Sequence, residues 1–510
     1  MANKNSRIKN ALLASLTGVG EQLASYVGAF IFRTVFLYVL NANYLGISAL
    51  FTNILQVFSL TELGIGSVIA FNMYKPIKEC DDEECAKLLN FYKGVYRAIA
   101  LITLLLGACF FPFIDSVIAD PGNIPDDVIY WLFVFQSVTS YLCVYRQSLL
   151  NADQKGYVIS AANSIYNICL NVIKILFLIV TANYTFVLAA GILISLVYNF
   201  GLSCYSARQY PDIIAFRDAR LSNANKIRIF KETGALMCHK IGGVVLNSTD
   251  SIILSSFIGV GTVGLYSNYQ LISSALDLFL NKVFGSFVPT IGNALIDARD
   301  SEKLKLYQRL RFINIWAASF CALCFYLLIN PFIKIWIGDK YLLDHAVVTI
   351  LSLHFFWNSS RIINVGFVNA SGLFVKDKLR PLIQAVLNLV ISVYAVIHVG
   401  IVGVFIGTFL STFFTSAWRE GVVLYKYLFH CSCVDYFKCY LGWFFVSLMP
   451  AIGLHILFSY IPESLLGFVI RLIIAVAAIN FYFWIVFRKT ESYLYMKQLL
   501  SSMTKRAFTG

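Results

Sequence analysis

Leu465-Leu466-Gly467-Phe468-Val469-Ile470-Arg471-Leu472-Ile473-Ile474-Ala475-Val476-Ala477-Ala478-Ile479-Asn480-Phe481-Tyr482-Phe483-Trp484-Ile485-Val486-Phe487 is a run of 23 residues with one charge, Arg471. A helix rising about 1.5 Å per residue needs roughly 20 mostly apolar residues to cross a hydrocarbon layer about 30 Å thick. The run therefore reads as a membrane-spanning helix. Working back toward the N-terminus, with charged or Pro/Gly/Asn-rich breaks as loops, the same criterion gives about fourteen runs. They lie at 12–39, 45–73, 92–114, 128–149, 158–180, 185–205, 232–256, 264–290, 312–332, 346–371, 382–399, 402–424, 440–459 and 465–487. Composition agrees, with 59% of 510 residues hydrophobic and 13% charged, against about 25% charged in a soluble domain. The expected fold is an all-α integral membrane protein of about 14 transmembrane helices, with no soluble domain.

The net charge of +13 does not point to nucleic acid, because the basic residues form short groups between apolar spans rather than a tail or an aromatic-studded soluble surface. The first ten residues are basic, but the following run carries Glu21, Gln22 and Arg33, so the first span is expected to stay as an uncleaved anchor. With the N-terminus inside, the expected cytoplasmic segments hold 31 of the 40 Lys and Arg residues; the outside loops hold only Lys334 and Lys340, and seven lie inside spans. An even number of spans with both termini cytoplasmic follows. The longest outside loops, 115–127 and 331–344, are too short to house a catalytic site, which weighs against a polymerase or a lipid-fed glycosyltransferase.

An internal repeat divides the chain. Tyr44-Leu45-Gly46-Ile47-Ser48 opens the second span, Thr262-Val263-Gly264-Leu265-Tyr266 opens the eighth 218 residues later, and Gly66-Ser67 matches Gly285-Ser286 at an offset of 219. The expected organisation is an N-lobe of six helices over 1–206, an inter-lobe loop over 207–231, a six-helix C-lobe over 232–430, and two further helices with a tail over 431–510. Lobes with an even number of spans share one orientation and can rock about a shared cavity, which is a transporter's architecture.

A charge at mid-bilayer costs at least about 2.5–3.5 kcal/mol, so each needs a partner, water or a route to the interface. The intramembrane bases are Arg33, Arg97, Lys174, Lys240, Lys282, Arg361 and Arg471; the acids are Glu21, Glu62, Asp250 and Asp277. Arg97 and Arg471 lie near span ends and are expected to reach the interface. Helical spacing places Ser15, Gln22, Ser25 and Arg33 on one face, Lys240, Asn247 and Asp250 on another, Gln270, Ser274, Asp277 and Asn281 with Lys282 at its edge on a third, and His354, Asn358, Arg361 and Asn369 on a fourth. Polar stripes in so apolar a chain are expected to line a hydrated cavity, with helix-to-helix pairs such as Lys240 with Asp277 as the alternative. Arg33, Lys240, Lys282 and Arg361 are the candidate cations for an anionic cargo, Gln22, Asn247, Gln270, Asn281 and Asn358 its polar lining, and Glu62, Asp250 and Asp277 coupling or structural carboxylates. No Walker loop, HExxH or GxSxG motif is present in a soluble setting, so neither ATP hydrolysis nor catalysis is expected. The spacings of Cys80 with Cys85 and of His430-Cys431-Ser432-Cys433 match no zinc pattern.

Arg33-Thr34-Val35-Phe36, Leu50-Phe51-Thr52-Asn53-Ile54-Leu55 and Leu60-Thr61-Glu62-Leu63-Gly64-Ile65-Gly66-Ser67, followed by Tyr74-Lys75-Pro76, resemble the polysaccharide transporter (Wzx-type) flippases of the MOP exporter superfamily. Ala152-Asp153-Gln154-Lys155 and His239-Lys240-Ile241-Gly242-Gly243-Val244-Val245-Leu246-Asn247-Ser248-Thr249-Asp250 extend the resemblance; Asn41 and Ser48-Ala49 depart from the usual residues. The resemblance implies a MATE/MOP-like two-lobed fold in a bacterial cytoplasmic membrane. The implied cargo is an undecaprenyl-pyrophosphate-linked oligosaccharide, flipped by alternating access for capsule or exopolysaccharide export, with proton or sodium coupling and no other cofactor. Polysaccharide polymerase and export machinery are the implied partners. A multidrug or cation antiporter of the same superfamily and a membrane enzyme of glycan assembly are the alternatives, the first disfavoured by the excess of intramembrane bases and the second by the short outside loops.

The topology is directly testable. Single cysteines introduced at 208–231 in a cysteine-less background are expected to resist an impermeant thiol reagent in intact cells, and cysteines at 120–127 to be labelled.

Overall fold

Inside hydrocarbon a backbone N–H or C=O must find its partner within the protein, which leaves helices as the economical way across. The computed structural model describes residues 4–498 and 501, except 63, 64, 120, 298 and 378. Among the described residues every regular element is helical. Twelve helices among the described residues are long and apolar enough to cross a membrane, from Gly20–Val39 to Leu465–Phe487. They correspond to twelve of the expected spans. The second expected span is a broken helix, Ala42–Phe58, a 3-10 turn Ser59–Glu62 and Ile65–Glu79, and the seventh lies in Asn223–Phe257, whose apolar part is only Ile241–Phe257.

Helices outrun their apolar windows because polar residues at their ends stay helical in water. The helix that holds the ninth expected span runs Asp300–Ile337 with Pro331 inside it, so Pro331 and Lys334, expected in an outside loop, lie in helix. Local chemistry sets the boundaries. Asn41 Oδ1 accepts from the N–H groups of Asn43 and Tyr44 at 3.1 and 3.2 Å, and Asn183, Ser222 and Ser464 cap their helices in the same way. Gly400, at φ 66°, turns Arg380–Val399 directly into Ile401–Phe414.

The chain forms two compact units, Met1–Gly264 and Leu265–Gly510. In the first, Asn223–Phe257 packs on the Ala42–Phe58 and Ile65–Glu79 helices, and Asn53 donates to Ser251 Oγ at 2.9 Å in the buried contact. The repeat-equivalent glycines touch here: a Cβ on Gly46 would stand 1.9 Å from the Val260 carbonyl oxygen, and one on Gly264 would stand 2.1 Å from that of Ala42. The family block Ala152–Lys155 is a turn between helices, clasped by Tyr210, whose hydroxyl donates to Asp153 Oδ2 at 2.7 Å beside the Lys155–Asp153 pair at 2.8 Å. Burial, and then that hydrogen bond, push the Tyr210 hydroxyl pKa well above its ordinary value.

The second unit has an aromatic core. The last two helices, Val434–Ser459 and Leu465–Phe487, stack on each other through Trp443 and Phe487 at 4.3 Å and dock on Asp300–Ile337 through Phe312 against Trp443 at 5.5 Å and Trp316 edge-on to Phe483 at 5.4 Å. The opposite face of Val434–Ser459 exposes Phe445, Met449, Ile452 and Ile456, a stripe suited to lipid. Arg471, expected to reach the interface, is instead 5% exposed and donates to the Ile461 carbonyl, because the preceding loop folds over it.

The close helix approach carries a prediction. Gly46→Ala should cost about 1–3 kcal/mol by overpacking, read as a lowered Tm in detergent, whereas Gly94→Ala, on an exposed helical position with nothing within 4 Å, should be neutral or slightly stabilising.

Candidate functional site

The eighth and tenth expected spans meet in the second unit. Val260–Gly285 carries the predicted stripe, with Gln270 and Asp277 partly buried and Ser274, Asn281 and Lys282 exposed. Asp277 accepts from the Ser359 hydroxyl, and Asn281 Nδ2 donates to the Asp277 carbonyl at 2.8 Å. Ser359 marks a break: His345–Ser359 ends there and Ile362–Ala370 begins three residues on. Such a break exposes polar backbone at membrane depth, and neighbours satisfy it. Asn314 Nδ2 donates to the Ser359 carbonyl at 3.0 Å, Asn314 Oδ1 accepts from the Ile363 N–H at 3.3 Å, and Tyr440 donates to the Ser360 carbonyl at 3.1 Å.

Arg361 sits in this break, 6% exposed, and its fork is filled by Glu420, which is 2% exposed; Nε donates to Oε2 at 3.0 Å and Nη2 to Oε1. Glu420 follows a second break, at Thr415 between Ile401–Phe414 and Ser416–Tyr427. One bidentate ion pair thus ties together two interrupted spans. Arg380 lies 3.4 Å from Glu420 and also donates to Asp377, so the pair continues into a network of alternating charges. Beside it Arg311, which the expected span 312–332 leaves among the bases of a cytoplasmic segment, is 4% exposed and lies over the rings of Tyr307 and Tyr436 at 5.0 and 5.6 Å. Its burial follows from the helix starting at Asp300, which carries residue 311 three turns into the bundle.

In the first unit Arg33 and Gln22 lie half-buried on Lys4–Val39. Glu21 accepts from Asn163 Nδ2 at 2.8 Å, and Asn163 in turn accepts from Tyr198. Lys174 lies over the Phe32 ring at 5.7 Å, its stem crossing Gly191, where a Cβ would stand 2.9 Å from Cε. Glu62 accepts from Tyr96 at 3.1 Å, and Asp250 is buried at 6% exposure. The side chains of Lys240 and Asn247 lie outside the described residues. Asn358 is exposed beside the break.

The structure brings Asp277 to the Asn358–Arg361 stripe through Ser359, a meeting that spacing on separate helices could not reveal. Sequence reasoning missed Glu420 and Asp377. Glu420 lies beside Arg419 within the expected span 402–424, and its partner is 59 residues away. The remaining signal was an acid within the 402–424 run, with only Arg419 beside it as a charge.

The fold of the chain, all-helical among the described residues with interrupted spans and buried charge, is similar to that of solved membrane transporters. The lipid II flippase MurJ in an inward closed conformation shares 14% identity over 94% of this chain and 99% of its own, with a TM-score of 0.64. An inward-facing multidrug resistance MATE family transporter of the MOP superfamily shares 13% over 80% and 98%, at 0.55, and the Vibrio cholerae MATE transporter VcmN shares 13% over 84% and 98%, at 0.52. No curated protein matches the chain. The class is therefore a multi-pass membrane protein with a MurJ- and MATE-like transporter fold. The model of the polysaccharide biosynthesis protein family matches residues 9–295, more than half of the sequence, and the chain belongs to that family.

Breaking a buried pair strands a charge, at about 3–5 kcal/mol, while replacing both members with apolar residues is often neutral. Arg361→Ala and Glu420→Ala should each lower Tm in detergent strongly, and the double variant Arg361→Met with Glu420→Leu should recover most of the loss.

Proposed function

We propose that this protein is a flippase that carries a lipid-pyrophosphate-linked oligosaccharide across the bacterial cytoplasmic membrane, for capsule or exopolysaccharide export, by alternating access. The observation that carries the reading is the exposed polar stripe Ser274, Asn281 and Lys282 on a membrane-spanning helix of a polysaccharide biosynthesis family member. Such a face is costly against lipid and comfortable against water. The excess of basic residues among the intramembrane charges suits a pyrophosphate. MurJ, whose fold resembles that of this chain, is a lipid II flippase.

In this reading Arg33, Lys240 and Lys282 attract the pyrophosphate, while Gln22, Asn247, Gln270, Asn281 and Asn358 meet its sugars. Arg361, already paired with Glu420, shapes the tenth span rather than gripping cargo. The polyprenyl tail stays in lipid. Glu62, Asp250 and Asp277 are the carboxylates for proton or sodium coupling, and both termini face the cytoplasm, where lipid-linked units are assembled. Polymerase and export machinery take the product on the far side. The multidrug function named for the MATE structures calls for a cation-accepting cavity, which the sign of the charges disfavours.

The test is flipping of lipid-linked oligosaccharide in proteoliposomes, with Tm and membrane abundance measured on the same variants. Arg33→Ala and Lys282→Ala should each slow flipping roughly tenfold or more, since a lost charge-assisted hydrogen bond is worth about 1.5–3 kcal/mol at about 1.4 kcal/mol per tenfold, with the Tm of the exposed Lys282→Ala variant unchanged. Normal flipping in well-folded variants of both would overturn the cationic cavity. A rate indifferent to pH and sodium gradients would remove the coupling.

A further inference from the structure

A cavity of about 410 Å³ opens in the second unit where the segment after the tenth span meets the Ser416–Tyr427 helix. Its lining has two characters. Lys376, Arg380 and Arg419 supply positive charge, and Asp377 is the single acid among the described lining residues. Leu379, Ile383, Phe414 and Trp418 supply an apolar wall, at 59%, 53%, 58% and 38% exposure. A large apolar surface left open beside a membrane-spanning helix is a surface for hydrocarbon.

The three bases are not equivalent. Arg380 is spent on the protein: it donates to Asp377 Oδ2, to Gln384 Oε1 at 3.3 Å and to Ser416. Arg419 is not, because its Nε stands 3.6 Å from Asp377 Oδ1 and its Nη2 3.5 Å from the Lys376 carbonyl, both long, and its side chain is 45% exposed. Lys376 is exposed, its ammonium 5.6 Å from the centre of the Tyr427 ring. Asp377 therefore orients two arginines, one inward and one toward the opening. Trp418 is fixed by its indole N–H, which donates to the Phe414 carbonyl at 2.8 Å, as suits a ring at a membrane interface.

The geometry points to a site for an anionic phospholipid, its phosphodiester held by Arg419 and Lys376 and its acyl chains lying along Leu379, Ile383 and Phe414. Charge complementarity selects this occupant. Inorganic phosphate would use only the basic half and a zwitterionic lipid would bring its own cation against Arg419, whereas an anionic phospholipid satisfies both halves. The sequence places segment 376–380 on the cytoplasmic side, where anionic headgroups attract basic clusters. The bound headgroup reaches the buried network directly, since Arg419, Asp377, Arg380, Glu420 and Arg361 form one chain of contacts. The lipid thus braces the helix whose Glu420 holds the broken tenth span.

The full chain, purified in detergent, is titrated with phosphatidylglycerol, with phosphatidylcholine of the same acyl chains, and with inorganic phosphate, and followed by thermal melting and native mass spectrometry. Phosphatidylglycerol is expected to raise Tm and to be retained at roughly tenfold lower concentration than phosphatidylcholine, with inorganic phosphate inert. The double variant Lys376→Ala with Arg419→Ala should weaken retention roughly tenfold, and Lys489→Ala with Lys497→Ala, bases elsewhere on the surface, should not. If the first double variant does not fold, Lys376→Gln alone, at an exposed position, should still weaken retention measurably. Undiminished phosphatidylglycerol binding in the folded variants, equal binding of phosphatidylcholine, or full reproduction of the shift by inorganic phosphate would each overturn the site. Binding is read without flipping, so the result is independent of the transport reading.

Discussion

A backbone polar group without a partner inside hydrocarbon costs several kcal/mol, and the second unit is organised by how it avoids that cost at two places where helices stop short. At Ser359–Arg361 the freed carbonyls take Asn314 and Tyr440 as donors. The bidentate pair between Arg361 and Glu420 then holds this break against the one at Thr415. Asn314 is spent wholly on the first break, whereas Tyr440 also accepts from Asn364 and Glu420 also meets Arg380.

The same constraint explains why the buried charges are arranged in series. Glu420 and Asp377 each sit between guanidinium groups, Arg361 and Arg380 on one and Arg380 and Arg419 on the other. Sharing each carboxylate between two bases lowers the desolvation cost that an isolated buried ion would carry. Arg311 solves the problem differently, with tyrosine rings and hydroxyls in place of an acid. The first unit uses hydrogen-bonded amides and close glycine contact, as at Asn53 with Ser251 and Gly46 with Val260. A transporter-like fold needs elements that can shift as bodies. Interrupted helices braced by discrete polar contacts have such alternatives, whereas uniform apolar packing does not specify them.

The sequence by itself determined that the chain spans a membrane many times, because an apolar run of about 20 residues has no cheaper place to go than hydrocarbon. It placed the polar stripe from Gln270 to Asn281 on one helical face, since that depends only on 3.6 residues per turn. It carried enough local identity, from Arg33 to Pro76 and from His239 to Asp250, to indicate the family. Only the tertiary structure decided what each buried charge does. Arg361 looked like a cargo ligand and is held by an acid 59 residues away; Arg311 looked like a base of a cytoplasmic segment and lies among tyrosines; Arg471 looked interfacial and is covered by the loop at Ile461. The reason is physical. A charge's position along a helix is fixed locally, but its energy depends on what lies within a few ångströms across a helix-to-helix contact, and packing, not spacing, sets that neighbour.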